Sequence, residues 1–380
     1  MYLCLVSGVW WLYPVPASNG CVCLCLSFFC LTFKCGASSL PPSLHTSLHL
    51  IAPSSAGLFH QALMESDVSG FRYRTLDDMS LYGDKFCELL GCKAKLGACD
   101  VSCMRSANTT AVGHAWNDAG NAIIPILFGN WGHLLDAFLD FTPTMDGKII
   151  PSNAYTAWKT GNYNKQIPLL FGTNRNEGAT FVYAGLTSPV PAAGVDAALD
   201  VFFGSDDAKK VRAYYNDVWP KPLADGRAIV SEILTDYWFR CSSEMWANVA
   251  AKNGTAAYVY LYDHVFSDAA IFASFGLPKV CEQDVCHASE LPLVFHSSTN
   301  PKILAENVTF TPAEKVLEQS FVDYWTSFVI HGDPNVGNDQ PHWPMWDPSK
   351  RISQVLKTPS PTNDTSVDLC TFWDSIGYSH

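Results

Sequence analysis

Residues Ile167 to Gly178 read Ile-Pro-Leu-Leu-Phe-Gly-Thr-Asn-Arg-Asn-Glu-Gly. The apolar run at the start of this stretch, ended by Gly172, is typical of a buried strand. Glu177 follows within a few residues. Because functional groups in α/β sheets lie at the carboxyl ends of strands, Glu177 is a candidate catalytic acid. Spacing alone leaves a second interpretation open, a loop glutamate that caps a helix.

Similar signals on both sides of this stretch indicate the fold class. A short apolar run within Gln61–Ser66 and a run rich in strand-forming residues at Ala256–Tyr262 predict two further strands. Apolar residues have helical spacing at Met79–Leu90 and Ala313–Ile330. Strands that alternate with long helices predict an α/β protein with a parallel sheet covered by helices.

A second candidate group lies in the stretch Val-Cys-Glu-Gln-Asp-Val-Cys-His-Ala-Ser-Glu-Leu-Pro, residues 280–292. Cys281 and Cys286 are close enough to close a tight loop that holds His287. Histidine titrates near neutral pH, which suits a general base. The alternative is a surface or core histidine beside a disulfide, and His296 is an equal candidate on composition alone.

Composition excludes some classes of function. Hydrophobic residues make up 48 % of the 380 residues, charged residues 16 %, and the formal net charge is −12. A large buried core is therefore expected, and nucleic acid is an unlikely partner because an acidic surface repels phosphate. The spacing of cysteines and histidines suggests no metal site.

Together the two candidate stretches resemble the type-B carboxylesterase/lipase family, which includes the cholinesterases. That family carries GTNxxEG around its catalytic acid and CHxxELP around its catalytic histidine, and this sequence has GTNRNEG at 172–178 and CHASELP at 286–292. Further family-like segments occur, in the family's order, at Ser47–Ser66, Pro143–Gly147, Phe328–Asn335, Trp343–Trp346 and Cys370–Trp373. The resemblance covers most of residues 45–380, which we assign to one domain.

The resemblance implies an α/β-hydrolase fold and serine esterase chemistry. His287 would be the general base and Glu177 the acid that orients it, with a small-molecule or lipid ester as substrate and no cofactor. It also implies disulfides between Cys92 and Cys103, between Cys241 and Cys370, and between Cys281 and Cys286. Cys87 and Cys99 are left unassigned, either paired or free.

The expected nucleophile is missing from the sequence. The family places its serine in a Gly-x-Ser-x-Gly elbow, and no such pattern occurs here. Ser55, in Pro53-Ser-Ser-Ala-Gly57, is the nearest imitation, but it aligns beyond the elbow and we do not assign it as the nucleophile. The oxyanion loop is also missing, since no two glycines are adjacent.

An incomplete α/β-hydrolase fold is therefore expected, without the elbow and the N-terminal half of the central sheet. Gln61–Ser66 would then be an unpaired edge strand, and such an edge is a template for aggregation. From this we expect a poorly soluble chain without esterase activity.

Residues 1–44 differ from the rest of the chain. They hold six of the 14 cysteines, and Met1–Phe33 contains no charged residue. The apolar run Cys21–Phe33 is short for a membrane span and lacks the basic start of a signal peptide. Three interpretations stay open: a signal or anchor, a genuine structural segment, or sequence that is not part of the evolved protein.

The remaining cysteines occur together with four Asn-x-Ser/Thr sequons, a combination that favours a secretory or extracellular setting. The sequons are at Asn108, Asn253, Asn307 and Asn363. Three functional hypotheses follow: an incomplete ester hydrolase, a catalytically inactive cholinesterase-like binding or adhesion protein, and a protein tethered to a membrane by Cys21–Phe33. We rank the hydrolase first because both catalytic motifs are retained, and a membrane location last.

Overall fold

A six-stranded, mostly parallel sheet organises the fold. The computed structural model describes residues 23–25, 42–68, 73–94, 97–127, 143–216, 223–274, 276–299 and 308–378. The strands of the sheet, in spatial order, are β1 (Cys23–Cys25), β2 (Ala62–Glu65), β5 (Leu169–Asn174), β6 (Ala257–Tyr262), β7 (Ile352–Leu356) and β8 (Thr362–Thr365). All neighbouring pairs are parallel except β7 and β8. Two short strands, β3 (Arg74–Thr75) and β4 (Thr144–Met145), pair separately.

Helices connect the strands and cover the sheet. They are α1 (Pro42–Ile51), α2 (Leu76–Leu89), α3 (Val101–Ser106), α4 (Thr109–Leu127), α5 (Ala154–Lys159), α6 (Glu177–Gly185), α7 (Ala192–Tyr214), α8 (Arg227–Leu234), α9 (Cys241–Lys252), α10 (Ala270–Ser274), α11 (Leu291–Val294), α12 (Pro312–His331) and α13 (Val367–Ile376). A π-helical turn, Thr235–Arg240, joins α8 to α9. Among the described residues, no helix combines the length and the apolar character needed to cross a membrane.

The sheet has a hydrophobic core on each face. Successive side chains of a strand point to opposite faces, so Leu169 and Phe171 of β5 join one core and Leu170 joins the other. The first core contains Trp246 of α9, and the second contains Phe321 of α12. Both β5 and β6 are buried along their whole length, which explains the apolar run that begins β5 and the apolar and aromatic sequence of β6.

The predicted α/β class is confirmed, and the three predicted strands correspond to β2, β5 and β6. The helix predicted at Ala313–Ile330 is α12, which begins with a capping box between Thr311 and Glu314. It ends at Gly332, whose φ of 72° lies in the left-handed region.

The expectation that Gln61–Ser66 forms an unpaired edge is wrong. Cys23, Leu24 and Cys25 of β1 pair in parallel with Ala62, Leu63 and Met64, so β2 lies inside the sheet. No strand was placed within residues 1–44, because the run Cys21–Phe33 is apolar without the alternation that marks a half-buried strand.

Candidate active site

Glu177 and His287 meet at the carboxyl end of β5. Glu177 is the first residue of α6, three residues after the end of the strand, and is fully buried. His287 lies in the segment after β6 and is 3 % exposed. The imidazole Nδ1 and the Glu177 Oε2 are 2.6 Å apart. The structure thus brings the two predicted residues together, as the parallel sheet requires of groups at one edge.

The other oxygen of Glu177 is held by two donors. The Ser66 hydroxyl and the Asn174 backbone N–H both donate to Oε1, each at 2.6 Å. Ser66 follows β2, so two neighbouring strands fix the carboxylate. Because both donors act on Oε1, Oε2 is left to face the imidazole.

Two glycines of the motif allow the close packing on which this geometry depends. A Cβ on Gly172 would lie 1.7 Å from the Tyr260 ring, and a Cβ on Gly178 would lie 2.2 Å from the Ser231 carbonyl oxygen. Gly172 therefore leaves room for the Tyr260 ring, and Gly178 lets α6 lie close against α8.

Hydrogen bonds fasten the loop that carries His287 to the residues around Glu177. The Asn176 N–H donates to the Val285 carbonyl at 2.9 Å, and its side-chain amide donates to Asp284 at 2.5 Å. Cys281 and Cys286 are joined by a disulfide that closes the loop immediately before His287. The histidine is therefore held at both its backbone and its ring.

Aromatic side chains surround the imidazole. The ring centroids of Phe181 and Phe239 lie 5.0 Å and 5.6 Å from that of His287. Phe181 belongs to α6, and Phe239 belongs to the π-helical turn, a local geometry that often occurs at functional sites. These rings exclude water from the Glu177–His287 pair, which strengthens the interaction between the two side chains.

Two further buried carboxyl groups, for which the sequence indicated no role, lie beside the pair. Burial, followed by the neighbouring Glu177 carboxylate, raises the pKa of Glu290 to about 7. Burial, followed by Glu290, raises the pKa of Glu65 well above its usual value. The Trp325 indole donates to Glu65 at 2.8 Å. The stretch CHASELP contains Glu290, but its spacing does not show that the side chain points inward.

The other candidates lie in different surroundings. His296 has a side chain that is 42 % exposed and lies 3.6 Å from Glu318. Ser55 is buried, and its hydroxyl lies 2.9 Å from His49 Nδ1. Neither residue contacts Glu177, so the structure favours His287 over His296 as its partner.

The structure contains disulfides at the three pairings that the resemblance implied, and one more between Cys87 and Cys99. The implied pairs are Cys92–Cys103, Cys241–Cys370 and Cys281–Cys286. Three sequon asparagines, Asn108, Asn253 and Asn363, are exposed, and Asn307 lies outside the described residues. Within the described part of the chain, no cluster of three or more His, Cys, Asp and Glu side chains is suited to a metal ion.

Comparison with known proteins identifies the family of the chain. The sequence model of the carboxylesterase family matches residues 43–373. Crystal protein of Dictyostelium discoideum is 27 % identical over 339 residues, covering 87 % of this chain and 57 % of the relative. Acetylcholinesterase of Bungarus fasciatus is 25 % identical (86 % and 52 % covered), and Lipase 2 of Geotrichum candidum is 26 % identical (79 % and 50 %). The chain spans about half the length of these curated relatives. It belongs to the carboxylesterase family.

Proposed function

We propose that this chain carries the acid–base part of a serine carboxylic-ester hydrolase, with His287 as general base and Glu177 as the acid that orients it. The observation that carries the proposal is the buried 2.6 Å contact between His287 Nδ1 and Glu177 Oε2. A carboxylate accepts hydrogen bonds, so Nδ1 carries the imidazole proton. Nε2 then carries the lone pair, and it is the atom that would accept a proton.

In the proposed reaction, Nε2 of His287 removes the proton from a serine hydroxyl as the serine oxygen attacks the ester carbonyl carbon. The resulting imidazolium gives that proton to the departing alcohol oxygen, which leaves an acyl-serine. Water then attacks the acyl group, His287 accepts the proton from water, and the proton returns to the serine as the carboxylic acid leaves. Glu177 stabilises the imidazolium in both steps, and no cofactor is required.

The serine itself is the part that this sequence does not supply, since it contains no Gly-x-Ser-x-Gly elbow. We therefore propose that the 380-residue chain does not turn over esters. The proposed substrates are small-molecule or lipid esters, as family membership suggests.

The test is to join an upstream carboxylesterase segment with the elbow ahead of Ser47 and to measure hydrolysis of p-nitrophenyl butyrate. We expect turnover by the joined chain and none by the 380-residue chain. A joined chain whose elbow serine is replaced by alanine is the matched control. Turnover by the 380-residue chain, or none by a folded, monodisperse joined chain, would contradict the proposal.

One observation favours a second candidate, a catalytically inactive cholinesterase-like binding or adhesion protein. The absence of an elbow from the sequence favours a binding protein. The contact between Glu177 and His287 favours the hydrolase, because a protein that only binds does not need an acid–base pair. Peptide mapping of the protein from its native source separates the two. An elbow-bearing peptide ahead of Ser47 supports the hydrolase, and a peptide that continues upstream of Ser47 without a serine elbow supports the binding protein.

We further propose a secretory or extracellular location. The disulfides of the structure and the three exposed sequon asparagines support it. Expression in a eukaryotic secretory host should add glycan to Asn108, Asn253 and Asn363, which deglycosylation followed by mass spectrometry detects. Unmodified asparagines in a folded, secreted product would contradict this proposal.

A further inference from the structure

We infer that Asn174 is a positioning residue that holds His287 against Glu177. This inference rests on the proposed function, because the position of the imidazole matters for catalysis only if His287 acts as the base. Asn174 is the last residue of β5 and is fully buried. It lies between the acid and the segment that carries the base.

The side-chain amide of Asn174 makes two hydrogen bonds to the segment that carries His287. Its Nδ2 donates to the Cys286 carbonyl oxygen at 2.9 Å and to Glu290 Oε2 at 2.5 Å. One acceptor lies one residue before His287, and the other lies three residues after it. Both hydrogens of one amide group therefore hold this segment on either side of the imidazole, through the Cys286 backbone and the Glu290 side chain.

The two hydrogen-bond partners, the Cys286 carbonyl and the Glu290 carboxylate, explain why residue 174 is an asparagine. Both are acceptors, so the position requires a side chain with two N–H donors at this short reach. Aspartate has the same shape but offers no donor when ionised, and glutamine is one methylene longer. Asparagine alone matches both the length and the chemistry.

The side chain of Asn174 bonds to the segment that carries His287, whereas its backbone bonds to Glu177. The Asn174 backbone N–H donates to Glu177 Oε1 and is retained whatever side chain occupies the position. The Ser66 hydroxyl also stays on Oε1. Replacing the Asn174 side chain should therefore leave Glu177 in place and release only the segment that carries His287.

The test is NMR spectroscopy of the 380-residue chain labelled with 15N-histidine, which requires no ester turnover. A short hydrogen bond from Nδ1 to a buried carboxylate gives a proton resonance at unusually low field, and burial protects it from exchange with water. We expect this resonance of His287 in the unsubstituted chain. In Asn174→Ala, we expect it to disappear or to move to higher field by more than 1 ppm.

Asn248→Ala is the matched control. Asn248 is also buried, and its side chain accepts a hydrogen bond from the Trp346 indole at 2.9 Å, far along the chain from both motifs. We expect it to lower the denaturation midpoint while leaving the His287 resonance within 0.2 ppm of its original shift. Glu290→Gln, which keeps an oxygen acceptor for Asn174, should also keep the resonance.

Two outcomes would overturn the inference. One is an unchanged resonance in folded Asn174→Ala, and the other is an equal loss of the resonance in Asn174→Ala and Asn248→Ala, which would indicate a general loss of stability. Failure of the proposed function would give a different result from failure of this inference. The joined chain would then show no ester turnover, while the His287 resonance would still depend on Asn174.

Discussion

Ser66 is the residue whose contribution to the site is least visible in the sequence. It precedes Glu177 by 111 residues, yet its buried hydroxyl donates to Glu177 Oε1 at 2.6 Å. The proximity of Glu177 and His287 was predictable, because each lies in a recognisable motif. Ser66, Asn174 and Glu290 act through contacts between distant segments, and no local pattern encodes such contacts.

The Ser66 hydroxyl should contribute measurably to the stability of the protein. Ser66→Ala should lower the free energy of unfolding by about 1–3 kcal/mol, because it removes a donor from a buried carboxylate. Urea denaturation measures the change. Ser243→Ala is the control, since Ser243 is equally buried but makes no side-chain hydrogen bond among the described residues. It should be nearly neutral, and an equal cost for both variants would contradict the role given to Ser66.

At the scale of elements, the unit that builds the site is β5, the turn after it and α6. Gly178 lets α6 pack against α8, because any Cβ there would collide with the Ser231 carbonyl oxygen. The strand and the acid were predictable from an apolar run followed by a carboxylate. The need for glycine at position 178 was not predictable, because it arises from contact with a helix more than 50 residues away along the chain.

Gly178→Ala should therefore force α6 away from α8 and lower the free energy of unfolding by about 1–3 kcal/mol. Gly185→Ala, at the other end of the same helix, is the matched control. A Cβ on Gly185 meets no atom within 4 Å, so this variant should be neutral or slightly stabilising. Thermal unfolding of the two proteins makes the comparison, and indistinguishable midpoints would show that the close approach is unimportant.

Other elements show where pattern recognition fails. Neither β7 nor β8 was predicted. β7 mixes polar and apolar residues without strict alternation, and β8 reads Thr-Asn-Asp-Thr and is exposed along its whole length. Its antiparallel pairing with β7 depends on backbone hydrogen bonds and not on a buried face. The pairing of β1 with β2 was missed for a related reason, since three residues are too few to show a period.

At the scale of the whole molecule, several carboxyl groups are buried without full charge compensation. Burial raises the pKa of Asp236, Glu244 and Glu290 to about 7 in each case. In the unfolded chain these groups titrate near 4, so the folded state binds more protons than the unfolded state between these values. Stability contributed by these groups is complete below pH 4 and is lost as the pH rises through 7.

We therefore expect these groups to lower the free energy of unfolding as the pH rises from about 4.5 to 7.5. Urea denaturation across this range measures the slope. Asp236→Asn should reduce the slope, because the amide cannot titrate but still accepts the hydrogen bond from Tyr215. Asp206→Asn, at a side chain that is 95 % exposed, should leave it unchanged. Equal slopes for the two variants would contradict the assignment to Asp236.

The central claim is that Glu177 and His287 form the acid–base pair of an ester hydrolase, and ester turnover by acid and base variants of the elbow-joined chain tests it most directly. We predict that His287→Ala and Glu177→Gln each reduce kcat on the order of a thousandfold or more, while the protein stays folded. Retention of kcat within tenfold in either folded variant would contradict the claim.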